Sequence, residues 1–133
     1  MLENDIKEKI INKIVEKVNP AFIIVFGSFA KGSVHKDSDL DLAYFSHDTL
    51  APYNCFTLAG ELASFINRDV DLVNIKQIDT VFTMQIFAEG IPIYIQNENE
   101  FYRQRMRAYS MYATLSEQRA SLIKGIQERG SVF

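Results

Sequence analysis

"GSFAKGSVHKDSDLDL", residues 27–42, is the stretch that decides the fold. It starts at Gly27-Ser28, crosses a polar segment, and ends with Asp39 and Asp41 alternating with Leu40 and Leu42. Alternation with period two is a strand pattern, in which residues i and i+2 share a face. Asp39 and Asp41 therefore project together, about 6.5–7 Å apart at their Cα atoms, while Leu40 and Leu42 turn into a core. Like charges side by side on a sheet repel, so a cation is expected between them. Just upstream, "AFIIVF", residues 21–26, is a short run of β-formers and reads as a strand buried on both faces. Gly27-Ser28 is then a small-residue connection into a short helical turn, where backbone can approach a ligand closely and free N–H groups can bind phosphate.

Working outward, residues 5–18 place Ile6, Ile10, Ile14 and Val18 at helical spacing, and Asn19-Pro20 stops them. Residues 39–45 form the second strand. Pro52 suits a first helical turn, and Phe56, Leu58, Leu62, Phe65 and Ile66 carry that helix to about Asn67. "RDVDLVNI", residues 68–75, is a third strand with Asp again at alternate positions. Residues 78–89 read as a helix ended by Gly90. "IPIYI", residues 91–95, is a fourth strand whose Pro92 places it at a sheet edge. Residues 99–133 have helical composition over 99–129, with Asn99 as the expected cap, Gly130 beyond the end, and a stripe of Tyr102, Met106, Tyr109, Ala113, Ala120 and Ile123. One unbroken helix there would be about 45 Å long, so a break or a partner is expected. The order predicts an α/β fold: a small mixed sheet of about four strands flanked by helices, with a C-terminal helical segment, in one domain spanning residues 1–133.

Composition narrows the class. The 133 residues carry a net charge of −3 and a single cysteine, Cys55. No internal disulfide can form, which suits a reducing, cytoplasmic setting, and Cys55 reads as a small buried apolar residue. No stretch is apolar for long enough to span a bilayer. The charge is uneven: residues 1–100 hold eight basic against fifteen acidic side chains, and residues 101–133 hold six against two. An acidic body argues against direct nucleic-acid binding. The basic tail reads as a solvated helix face or as a surface for a partner, and a homo-oligomer is compatible with it.

Paired carboxylates on one strand favour magnesium, which takes hard oxygen ligands and keeps water and phosphate as its others. Two such ions can clamp the attacking and leaving oxygens of a phosphoryl transfer, and this arrangement calls for a third carboxylate. Asp69 and Asp71 share a parity, so spacing leaves both open. Asp71, between Val70 and Leu72, is the better candidate for the general base, because Asp69 can pair with Arg68. Ser28 can donate to a phosphate oxygen, and Lys31 adds a cation for the same triphosphate. Each feature alone is ordinary, since acidic turns are usually solvated. Their joint order points to nucleotide chemistry. His35 and His47 have no partner at ligand spacing, so zinc is not expected.

Gly27-Ser28, ten residues, Asp39-Leu40-Asp41 and a later Asp71 resemble the signature of the DNA polymerase β-type nucleotidyltransferase superfamily. The chain as a whole resembles its smallest branch, the minimal nucleotidyltransferase (MNT) domain antitoxins that accompany HEPN-domain ribonuclease toxins. The resemblance implies that Asp39, Asp41 and Asp71 bind magnesium, two ions in all. Gly27 and Ser28 would hold the β- and γ-phosphates of ATP, and AMP would pass to a tyrosine of the HEPN toxin. Two other readings compete. Transfer to a small molecule such as an aminoglycoside is disfavoured, because about thirty residues after the sheet leave little room for an acceptor domain. Neutralisation of a toxin by contact alone fits the tyrosines and arginines of the tail, residue types that dominate interfaces.

Overall fold

The computed structural model describes residues 2–128. Helix α1, Asn4–Val18, buries Ile10, Ile14 and Val18 and ends where Asn19 adopts the left-handed region, its N–H bonded to Val15 O. Strand β1, Phe22–Phe26, follows and lies inside a four-stranded sheet. Its four residues from Phe22 to Val25 are all buried, as a strand covered on both faces must be. A four-residue helix α2, Ser28–Lys31, leads by way of a loop to strand β2, Leu40–Phe45, antiparallel to β1. Helix α3, Pro52–Ile66, carries the chain over to strand β3, Val70–Asn74, which runs parallel to β2 at the edge of the sheet. A 3-10 turn, Ile75–Gln77, and helix α4, Thr80–Glu89, bring it back to strand β4, Ile91–Ile95, on the opposite edge. The order is β3-β2-β1-β4, the small mixed sheet that the alternation predicts.

Side-chain parity sorts the sheet into two faces. Leu40, Leu42 and Tyr44 join Ile10, Ile14, Leu58 and Leu62 under α1 and α3. Ala43 and Phe45 join Phe22, Ile86, Phe87 and Phe101 on the other side. Phe22 is the hub there, stacked on Phe45 at 5.7 Å and edge-on to Phe101 at 5.1 Å. Asp41 has the parity of Ala43 and Phe45, so it belongs to this second face, at the opposite end of β2 from the aromatic cluster. Pro92 sits on the edge strand as expected, and the pairing of β1 with β4 slips beside it. Gly90 is fixed by space: a Cβ there would run into Ile86 O and come within 2.5 Å of Ile24 Cγ2.

Several boundaries differ from the sequence reading. Strand β2 begins at Leu40, leaving Asp39 on its lead-in, and β3 begins at Val70, leaving Arg68 and Asp69 outside the ladder. Phe56 is 78% exposed, so α3 is held by Leu58 and Leu62 instead. The last helix, α5, runs unbroken over Glu98–Glu128. Its cap is Asn97, whose Oδ1 accepts from Glu100 N at 3.1 Å, and Asn99 lies in the first turn. The stripe that reaches the body starts at Phe101 and Ala108, whereas Tyr102, Met106 and Ile123 are exposed. Two apolar stripes compete on α5, and the one that puts Phe101 against Phe22 wins. Gly130 lies outside the described residues. With no break in the helix, the expected alternative is a partner. Among the described residues no helix is long and apolar enough to cross a membrane.

Candidate active site

Parallel pairing places Asp41 directly opposite Asp71. Opposed residues on neighbouring strands share a face, so the two carboxylates meet closely enough for Asp71 to raise the Asp41 carboxyl. Asp41 is half-buried and its carboxyl is pushed up to about 6, first by burial, then by the charge and hydrogen bond of Asp71, then by the charge of Asp39. Asp39 and Asp71 are both exposed. The structure therefore brings Asp41 and Asp71 together, with Asp39 near enough to act on Asp41 but standing off the ladder. Among the described residues no three acidic, imidazole or thiol side chains are gathered as a ready-made metal cage.

Magnesium does not require such a cage, since it binds through one or two carboxylates and completes its shell with water and phosphate. The burial and neighbouring charges that raise the Asp41 carboxyl are what a bound cation would offset, so this donor set fits the ion.

Gly27 adjoins the pair. Its φ of 69° is in the region that glycine alone enters freely. A Cβ at Gly27 would land on Oδ2 of Asp41 and lie 3.1 Å from its Cγ. The carboxylate occupies the space a side chain would need, which explains why glycine precedes Ser28. Ser28 opens α2, whose turn is closed by Ala30 N and Lys31 N donating to Gly27 O at 3.2 and 3.1 Å. Lys31 is exposed and its Nζ is 3.4 Å from Glu89 Oε2, a solvent-screened pair that holds it weakly. Asp69 lies outside β3, and its carbonyl accepts from Leu40 N at 2.9 Å.

Arg68 is the residue that the sequence reading misplaced. It donates to carbonyls of the loop before Asp39 and lies over the Phe29 ring, rather than pairing with Asp69. A lone Arg before a strand carries no sequence signal for such a role. Cys55, expected to be buried, is only half-buried, and its thiol donates to Leu72 O at 3.6 Å.

The raised Asp41 carboxyl has a stability consequence. Folded Asp41 binds its proton more tightly than unfolded Asp41, so stability from this group falls as pH rises from about 4 to about 6. Asp41→Asn is therefore expected to melt above wild type at pH 7 in metal-free buffer and alongside it near pH 4. Thermal melts across that range with a chelator check this. Equal melting at pH 7 would mean that the carboxylates do not oppose the fold.

A four-stranded mixed sheet carrying paired carboxylates beside a Gly-Ser turn defines a nucleotidyltransferase of polymerase β type. The chain belongs to that family: its model, Polymerase beta, Nucleotidyltransferase, matches residues 8–99. Protein adenylyltransferase MntA of Shewanella oneidensis is 33% identical over 105 residues, spanning 78% of this chain and 74% of that protein. A chain from a crystal structure of the toxin–antitoxin with AMP-PNP superposes with a TM-score of 0.81 at 30% identity, over 91% of this chain and 98% of that one. A chain from the tri-AMPylated Shewanella oneidensis HEPN toxin in complex with MNT antitoxin gives 0.78 at 26% identity, over 95% and 99%.

Proposed function

We propose that residues 1–133 work as one unit, an antitoxin that transfers AMP from ATP to a tyrosine hydroxyl of a HEPN-type toxin. The observation that carries this is the Asp41–Asp71 carboxylate pair set against Gly27, and the likeness to an adenylyltransferase and to toxin–antitoxin complexes supports it. Asp39, Asp41 and Asp71 would hold two magnesium ions, which when bound neutralise phosphate charge and polarise the α-phosphate. Gly27 and Ser28 cradle the β- and γ-phosphates, and Lys31 exchanges Glu89 for the same phosphates. Asp71 takes the proton of the acceptor hydroxyl. The acceptor oxygen bonds to the α-phosphorus, the bond from that phosphorus to the β-bridging oxygen breaks, and pyrophosphate leaves. Holding these groups in line contributes most of the acceleration.

A second reading, neutralisation by contact, is favoured by α5, where Tyr102, Met106, Leu122 and Ile123 are all more than half exposed. Both can hold in one protein. Mass spectrometry of the toxin after incubation with this chain, ATP and magnesium tests the first. We expect one AMP increment per acceptor tyrosine, and an unmodified toxin in a stable complex would leave contact alone.

A further inference from the structure

We infer that Arg68 is a positioning residue that holds Asp39 in register with the Asp41–Asp71 pair. This rests on reading the site as a magnesium–nucleotide centre. Asp39 lies outside the strand ladder, which begins at Leu40. Something other than sheet pairing must therefore fix the carboxylate that completes the set.

The backbone on either side of Asp39 is tied to two consecutive residues. On one side Ser38 O accepts from Arg68 Nη1 at 2.9 Å. On the other, Leu40 N donates to Asp69 O at 2.9 Å. Arg68 and Asp69 lead directly into β3, which carries Asp71. The segment bearing Asp39 is thus fastened to the segment bearing Asp71 at both flanks, and one of the two fastenings is a side chain.

Arg68 reaches further. Its Nη1 also donates to His35 O at 2.8 Å, with Lys36 O a longer approach at 3.4 Å. Nη1 has two hydrogens, so the two short contacts are the bonds. The loop is closed on itself by Ser38 N to His35 O at 3.0 Å and His35 N to Ser38 Oγ at 2.8 Å. Arg68 therefore clamps both ends of one preformed turn. Its guanidinium lies 5.2 Å from the centroid of Phe29, which follows Ser28 in α2. One planar cation thus touches the phosphate turn, the lead-in to Asp39 and the lead-in to Asp71. Lysine reproduces this poorly, because an ammonium lacks the flat face that lies over Phe29.

The test uses the magnesium concentration that gives half of the AMP-PNP-dependent rise in melting temperature. It is measured for wild type, Arg68→Ala, Arg68→Lys, Asp39→Asn and the Asp39→Asn/Arg68→Ala pair. Arg68→Ala is expected to raise it about tenfold, as loss of a residue that orients a ligand does, and Arg68→Lys should restore little of it. In the Asp39→Asn background the same change should cost less than about twofold, since the residue through which Arg68 acts is gone. An equal shift in both backgrounds, or no shift in either, overturns the assignment. So does loss of the fold in both single Arg68 variants, which would make Arg68 a general stability residue. AMP transfer to the toxin is followed in parallel. If wild type transfers none while the coupling is seen, the proposed reaction falls and the role of Arg68 stands.

Discussion

Asp71→Asn is expected to leave a folded protein that still binds its toxin and has lost AMP transfer by roughly 10²–10⁴-fold, the range typical of a missing general base. The fold survives because Asp71 is exposed and because the change removes a charge that repels Asp41. The amide cannot take a proton from the acceptor hydroxyl, and it is also a poorer magnesium ligand. Co-expression with the toxin separates the two readings. If chemistry is required, cells making Asp71→Asn stop growing although a pull-down recovers the complex. Full protection with no modified toxin would sink the enzymatic reading. Polar replacement of the exposed Tyr102, Met106 and Ile123, which leaves Phe101 in the core, is the counterpart variant: under neutralisation by contact it loses protection and the complex together.

Gly27→Val should have an effect of similar size by a different route. The backbone there sits at a φ of 69°, which costs a β-branched residue on the order of 1–3 kcal/mol. The added Cβ would also strike the Asp41 carboxylate, which has to move from its place beside Asp71. The proposed metal and phosphate positions are therefore both disturbed by one methine carbon. The expected result is a lower melting temperature that magnesium and AMP-PNP no longer raise, with transfer reduced by at least about 10²-fold, the scale of a small misplacement of reacting groups. Calorimetry with AMP-PNP and magnesium checks this, and wild-type affinity would mean that the turn merely connects two elements. Ser28→Ala, which keeps the backbone, should weaken binding only modestly.

Much of this arrangement was legible because it rests on parity. Period-two alternation put Leu40 and Leu42 into the core and Asp41 on the opposite face, and the strand is built that way, though it starts one residue after Asp39. Pro92 marked an edge because it lacks the N–H that an inner strand needs. The register between β2 and β3 was not legible. Asp69 and Asp71 have the same parity, and only the pairing of Leu40 with Val70 sets Asp71 opposite Asp41. The face of α5 was misread for a related reason. Tyrosine and methionine suit surface and core alike, and the choice was made by the fit of Phe101 into the Phe22 cluster. Arg68 was invisible because its acceptors are backbone carbonyls, which every sequence has.

The parallel pairing of β2 with β3 is also a non-local contact. Strands β1 and β2 are antiparallel neighbours joined by a short excursion, whereas β3 reaches β2 only after the whole of α3 has been laid across the sheet. Closing a crossover of that kind is slow relative to local pairing. The charges of Asp41 and Asp71 oppose bringing these two strands together. A chain in which β3 has not paired with β2 lacks the Asp71 half of the carboxylate pair. A ligand that needs both carboxylates binds the paired fold and stabilises it by mass action. Under the proposed function, magnesium–ATP binding would therefore favour the chain in which β2 and β3 are paired.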